Sequence, residues 1–380
     1  MKSRCRMFIT AFLAAGLALA GCAPEPAAVL EASSRNFGAR LAPSSEVPTE
    51  FSRTRSASIS AIGDVLIHGT VYQDAKTADG YDFNPMFKGV APFLSQSDIT
   101  IANSESLIGG SGIGVSTYPS FNSPFEVGDA MKNAGVDIVS MANNHTLDRG
   151  ETAIRNALGH WRSLGILTTG AFLSQKDKDH GVSLSKNGIM FSFLSYTYGT
   201  NGVETPRGKE YLVQRIDKER IRQDLAIARA ESDIVVLSLH FGVEYETMPN
   251  AEQIELAHFS AEHGADVILG HHPHVLQPAQ WIQASDGRKV FAVYSLGNFL
   301  SGQDVLERKI GGIVHITAIK TEKAGSESVM LADPAFTPTF VENTDLKDFQ
   351  VKLLKTVDPK LNEATKRHIA RWMPEMEFQE

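Results

Sequence analysis

The chain has almost no cysteine: Cys5 and Cys22 are the only two in 380 residues, and both precede residue 23. A disulfide framework and a cysteine-ligated zinc site are therefore excluded from everything downstream. An excess of cations is also missing. Lys and Arg number 36 against 44 Asp and Glu, a formal charge of −8, which excludes a broad nucleic-acid-binding surface. The apolar stretch Phe8–Gly21 falls short of the roughly 20 residues that a membrane-crossing helix needs, and Pro24 follows it at once. No internal repeat is visible. What remains is an ordinary globular composition, 42% apolar and 21% charged. The length suits one large domain with an appendage, or two modest domains.

The positions of both cysteines read as those of an N-terminal signal and its processing box. Lys2, Arg4 and Arg6 precede the apolar stretch, and its end reads Leu19-Ala20-Gly21-Cys22. That tetrapeptide resembles the bacterial lipoprotein processing box, in which small residues fit the peptidase and the cysteine thiol accepts a diacylglycerol. The expectation is a signal peptide over residues 1–21, removed in the mature chain, and a lipidated Cys22. An ordinary signal peptide with an incidental cysteine is the alternative. Residues 22–55 are rich in Ala, Pro, Ser and Glu without apolar periodicity, and read as a flexible tether. This organisation places the folded part on the extracytoplasmic face of the envelope. Ala23, in place of an Asp after the lipidated cysteine, favours the outer membrane in a Gram-negative cell.

From residue 56 the chain alternates. Apolar β-type runs at Ala57–Ile62, Asp98–Ala102, Val136–Met141, Ile234–Leu239, Ala265–Leu269 and Lys289–Leu296 are interleaved with helix-like stretches. These predict helices over Pro85–Ser95, Pro124–Ala134, Arg149–Leu164, Lys218–Ala230 and Ala251–His263. Such alternation argues for α/β layering. Val182–Tyr198, broken at Lys186-Asn187-Gly188, predicts an antiparallel hairpin. Gly311–Thr321 and Ser328–Val341 add strands with no helix between them. The folded domain is expected over residues 56–342, with a helical tail, two short helices about Pro359, over 343–380.

The apolar runs end in Gly63-Asp64, Asn103-Ser104-Glu105, Asn143-Asn144-His145, His240 and Gly270-His271-His272-Pro273-His274. In open α/β sheets, ligands bind beyond the carboxyl ends of the strands. Oxygen and imidazole groups converging there suit a first-row divalent metal such as Mn, Fe or Zn. An extended His272-Pro273-His274 would put those two imidazoles on one side and turn His271 away. Taken singly, each residue also has a structural reading: Asp64 as a cap, Asn103 and Asn144 as turn residues, His240 as a hydrogen-bonded core histidine. Asp148 either holds the Asn144/His145 loop or caps the following helix. Gly109–Gly114 reads as a mobile loop over the pocket.

The ordered set of Gly63-Asp64-Val65, Asn103-Ser104-Glu105, Asn143 to Asp148, His240 to Tyr245, His272 to Gln277 and Tyr294 to Phe299 resembles the capsule-synthesis CapA family. That family is associated with poly-γ-glutamate capsules and is similar in fold to the calcineurin-like metallophosphatases. The resemblance implies an α/β fold, a four-layer α/β/β/α sandwich, with one or two divalent transition-metal ions at the strand ends. It implies Asp64, Glu105, Asn144, His240, His272 and His274 as metal ligands, with His145 and Asp64 in catalysis. Asn103, Glu244, Tyr245 and Asn298 are candidate substrate contacts, with pocket lining as their plainer role. One departure stands out. The metallophosphatase start Asp-x-His is Asp64-Val65-Leu66 here, which removes an imidazole that His68 would have to replace.

Two functions follow from the resemblance. One is a membrane-anchored, metal-dependent hydrolase, phosphoesterase-like, acting on a phosphoester or amide in an envelope polymer. The other is a non-catalytic accessory subunit for assembling, exporting or anchoring that polymer. The expected partners are the membrane through the lipid anchor, an acidic envelope polymer or its precursor, and membrane-bound capsule synthase subunits; nucleic acid is not among them.

Overall fold

The structure, a computed structural model, describes residues 52–323 and 325–379. The expected signal peptide, Cys22 and the expected tether as far as residue 51 lie outside the described residues. Among the described residues fifteen strands form two sheets. In chain order they are β1 (Ser52–Leu66), β2 (Ile99–Ser104), β3 (Ile138–Ser140), β4 (Leu167–Thr169), β5 (Ser183–Lys186), β6 (Ile189–Thr197), β7 (Ile234–His240) and β8 (Val267–His271). They continue with β9 (Leu276–Gln283), β10 (Lys289–Leu296), β11 (Asn298–Ser301), β12 (Ile310–Lys323), β13 (Ser326–Thr344), β14 (Lys347–Leu353) and β15 (Glu377–Phe378). The first sheet has the order β14-β13-β12-β1-β2-β3-β4, with β11 beside β1 and β15 beside β13; the second runs β5-β6-β7-β8-β10-β9.

Three apolar layers hold these sheets. Alternate residues of β1 (Ala57, Ile59, Ala61) meet Phe191, Phe193, Val236, Leu269 and Phe291 of the second sheet, because side chains on a strand point alternately to its two faces. The outer face of the first sheet packs on helices Glu126–Asn133 and Gly150–Ser163 through Val127, Met131, Ile154, Leu158 and Trp161. The outer face of the second packs on helices Lys218–Glu231 and Ala251–Glu262 through Ile221, Leu225, Leu256 and Ala257. The result is helix, sheet, sheet, helix: the expected four-layer sandwich. Buried on both faces, the central parallel strands need the near-continuous apolar runs that the sequence shows.

Local chemistry sets the element ends. Asp217 caps Lys218–Glu231, and Asn250 with Gln253 forms a complete capping box on Ala251–Glu262. The hairpin β5–β6 turns at Asn187 and Gly188, both at positive φ, as a tight turn demands.

Three expectations are corrected. The stretch Pro85–Ser95 makes two single turns, Asn84–Phe87 and Ala91–Leu94, rather than one helix. Gly89 there passes so close to the Val351 carbonyl that a Cβ would come within 2.8 Å, and Pro92 cannot donate to a continuing helix. The domain begins before residue 56, since Ser52–Arg55 already pair with Lys320–Lys323. Residues 343–380 are not a helical appendage. They complete β13 and run on into β14, which pairs with it. The helices Leu354–Val357 and Pro359–Ile369 follow, and their Leu354 and Ile369 are buried between the sheets.

Two glycines allow close backbone approaches next to the site-bearing strand ends. A Cβ on Gly63 would stand 2.0 Å from the Gly297 carbonyl oxygen, and one on Gly270 would stand 1.9 Å from the Tyr294 carbonyl oxygen. Gly270→Ala should therefore lower stability by about 1–3 kcal/mol, the usual cost of forcing an extra carbon into a closed core. Chemical denaturation of the folded part checks this, and an unchanged midpoint would contradict the packing described.

Candidate metal centre

Each sheet delivers half of the site. From the first come Asp64 at a β-bulge near the end of β1, Asn103 in β2, Glu105 just past it, and Asn143–His145 after β3. From the second come His240 ending β7, His271 ending β8, and His272 and His274 beyond it. All are buried, with Asp64, Asn103 and Glu105 fully so. The bulge re-aims Asp64 along the sheet edge, and its N–H donates to the Gly297 carbonyl at 2.9 Å.

The two carboxylates are treated differently by their surroundings. Asp64 Oδ1 accepts from Asn103 Nδ2 at 2.8 Å and lies 3.3 Å from His271 Nδ1. Its Oδ2 accepts from the His272 backbone N–H at 3.3 Å and lies 3.2 Å from His274 Nδ1. Burial alone would raise its pKa, but the imidazoles of His271 and His274 overcome that and hold it well below the carboxylate range. Glu105 has no such help: both carboxylate oxygens are buried without a hydrogen-bond partner. Burial, with Asp64 and Glu244 nearby, pushes its pKa well up against the pull of His274.

Imidazoles surround this unmatched carboxylate. His240 Nε2 and His274 Nε2 each lie 3.6 Å from Glu105 Oε1. His240 Nε2 is also 2.9 Å from Asn144 Oδ1. Burial drives the pKa of His240 well down and that of His272 to about 3, so both are neutral and have lone pairs to give. His274 goes the other way. Burial would lower it, but Glu105 and Asp64 raise it to about 9.

Donor atoms of Asp64, Glu105 and His274 lie within 4.8 Å of one another; so do those of Glu105, His240 and His272, and those of Glu244, His272 and His274. Glu105 joins the first two groups. An unpaired buried carboxylate between imidazoles and a second carboxylate is costly unless a cation meets it. The donor set, carboxylate oxygens with imidazole nitrogens, fits a divalent metal.

His145 belongs to none of these groups. Its Nδ1 lies 2.8 Å from Asp148 Oδ2, and the Phe121 ring meets it edge-on at 4.6 Å. Asp148 also accepts the Phe121 N–H at 2.7 Å. The helix that follows begins with Arg149 as a cap without a side-chain bond. Of the two readings of Asp148, the structure therefore shows the one that holds His145.

The candidate substrate contacts separate. Asn103 turns to Asp64 and lies 3.4 Å from His240 Nδ1, and Asn298 Oδ1 faces His274 Nδ1 at 3.0 Å. Both brace ligand candidates. Glu244 and Tyr245 are exposed, on the rim.

The segment His272-Pro273-His274 is not extended. His272 and His274 have φ of 100° and 58°, a strained backbone for non-glycine residues. The bend breaks the alternation, so His271 also faces Asp64 instead of turning away, with neither ring nitrogen in hydrogen-bonding geometry. Leu66 is buried, and His68 joins none of the ligand groups. His68 precedes helix Gly69–Asp74, and its Nδ1 accepts from the Gly302 N–H at 3.2 Å. The Gly109–Gly114 segment is tied down: Asn122 Nδ2 donates to Gly110 and Gly114, and Arg149 to Ile113 and Gly114. Tyr198, which no sequence pattern singles out, packs its ring 4.6 Å from that of His272.

The folded protein should take up about two transition-metal ions, and His272→Ala with His274→Ala should take up none. At pH 7 the metal-free cluster keeps a proton on His274 or Glu105, which a metal must displace. Affinity should accordingly rise about tenfold per pH unit and level off above pH 9. Elemental analysis and chelator competition check both; a metal-free wild type after reconstitution with Mn, Fe and Zn would refute the centre.

The chain is similar to several known proteins. The chain is 28% identical over 301 residues to the PGA biosynthesis protein CapA of Bacillus subtilis strain 168, covering 76% of this chain and 75% of that protein. It is 25% identical over 281 residues to the capsule biosynthesis protein CapA of Bacillus anthracis, covering 70% and 65%. Among solved structures, a 5′-nucleotidase precursor from Thermus thermophilus aligns with a TM-score of 0.43 at 12% identity. That alignment covers 73% of this chain and 54% of the other. The profile of the bacterial capsule synthesis protein PGA_cap matches residues 58–303, well over half of the chain, so the protein belongs to that capsule synthesis family.

Proposed function

We propose that the chain is a lipid-anchored, metal-dependent hydrolase of the cell envelope, acting on a phosphoester or amide in an acidic capsule-type polymer or its precursor. The observation that carries this reading is a division of labour: two ligand groups share Glu105, while His145 stands outside both, held by Asp148. A pair of divalent ions in these groups would supply an activated water and offset charge developing on the attacked centre.

The chain's own residues do the rest. Asp64, Glu105 and His274 would hold one ion, and Glu105, His240 and His272 the other, with Asn144 beside His240. Asp64, kept ionised, is ready to ligate. Asp148 fixes the His145 ring through Nδ1, which leaves Nε2 as the nitrogen for the reacting group. Asn103 and Asn298 keep Asp64 and His274 from rotating.

The second reading, an accessory subunit that helps assemble the polymer beside membrane-bound synthase subunits, draws on Leu66, where the metallophosphatase pattern would place an imidazole. Among the described residues no helix is long and apolar enough to cross a membrane. Attachment in our reading rests on Cys22 alone. Cys22→Ser should release the protein from the membrane fraction. If that variant still sediments with membranes after a high-salt wash, the anchor reading fails.

His145 separates enzyme from scaffold. His145→Ala should retain metal content and fold while turnover of a generic phosphodiester falls by about 10²–10⁴-fold. Normal capsule in a deletion strain complemented with the His145→Ala form would decide for the scaffold.

A further inference from the structure

Arg308 lies on the short 3-10 turn Leu306–Lys309 at the rim of the centre, with its guanidinium carbon 3.5 Å from the centroid of the Tyr245 ring. No carboxylate among the described residues pairs with it, whereas the neighbouring Lys309 is 3.2 Å from Asp304. The stack on an aromatic face orients the guanidinium plane and leaves its N–H edges free, the arrangement that receives a planar or tetrahedral oxyanion through two parallel bonds.

Both members of the stack are tied to His274. Asn298 donates from Nδ2 to the Arg308 carbonyl at 2.8 Å while its Oδ1 faces His274 Nδ1. Tyr245 donates its backbone N–H to the Pro273 carbonyl at 2.8 Å, one residue before His274. It does so at a φ of 69°, a costly conformation for a residue with a large side chain. Its ring centroid is 6.1 Å from that of His274. The guanidinium is thus registered against the ligand cluster from two directions, one ring further out.

We propose that Arg308, stacked on Tyr245, forms an anion subsite that takes a second carboxylate or phosphate-type group of the substrate while the metal centre holds the group to be attacked. The substrate is then a chain with repeated or paired anionic groups rather than a compound with one. The subsite rests on the metal-centre part of the preceding reading and not on turnover.

Three probes separate these features: propylphosphonate, which carries an anion for the metals only; 3-phosphonopropionate, which adds a carboxylate; and propane-1,3-diphosphonate, which adds a phosphate-like group. Calorimetric titration of the metal-loaded folded protein should show at least one two-anion probe binding about tenfold tighter than propylphosphonate. Whichever of the two is preferred identifies the second anion. Arg308→Gln should abolish the preference while metal content and propylphosphonate affinity stay as in wild type. Arg308→Lys should restore only part of it, because an ammonium lacks the planar fork. Lys309→Gln, which removes an adjacent charge but not the stack, should keep the preference. Equal binding of the three probes by wild type, or an Arg308→Gln protein with wild-type preference, would overturn the subsite. So would a metal-loaded protein that binds none of them. A protein that shows the Arg308-dependent preference yet hydrolyses no phosphodiester would leave the subsite standing while the hydrolase reading fell.

Discussion

The burial of two carboxylates side by side is the constraint on which the rest of the site depends. Asp64 and Glu105 are both fully buried, and only Asp64 has enough donors to stay ionised. Glu105 is left with two unpartnered oxygens in a low-dielectric interior, which no well-packed protein tolerates without compensation. The compensation within reach is positive charge, either a proton on His274 or a cation among the imidazoles. Proton and metal are alternatives at the same place, and that ties the chemistry of the site to the energetics of its burial.

The frame around the carboxylates keeps them from relaxing away from each other. Gly63 and Gly270 let backbone approach backbone where a side chain would separate the strands. The bulge in β1 turns Asp64 along the sheet edge, and the bend with left-handed backbone at His272 and His274 brings the His271 and His274 rings and the His272 N–H around it. Outside that inner cluster, Asn103, Asn298 and Asp148 each spend a hydrogen bond on orienting a neighbour. Strain at the centre is offset by three apolar layers that have no need to change shape.

Much of the site was legible because its residues sit where apolar runs stop. Asp64, Glu105, Asn144, His240, His272 and His274 could all be named from strand ends and family likeness, and the fold does bring them together. Residue orientation was less legible. Period-two alternation turns His271 away from Asp64, and it fails because the backbone leaves the extended region at the next residue. Asp148 was ambiguous between cap and brace, since both roles accept a backbone or ring N–H; only the position of the His145 ring chose between them. Tyr198 and Arg308 carried no local signal, because what distinguishes them is a ring contact made across the chain.

The sequence by itself determined the α/β alternation, the hairpin at Asn187-Gly188 and most helix positions, since these follow from short-range periodicity, capping and turn chemistry. It also determined the lack of thiol chemistry in the body, since no cysteine follows Cys22. It misjudged the tail, where Lys347–Leu353 became a strand because β13 offered an unpaired edge, a partner that no local pattern announces. Only the tertiary structure decided that the carboxylates of one sheet and the imidazoles of the other share a single cluster. Asp64 and His274 are separated by more than half the folded chain, and contacts at that range are set by how two sheets pack, not by neighbours in sequence.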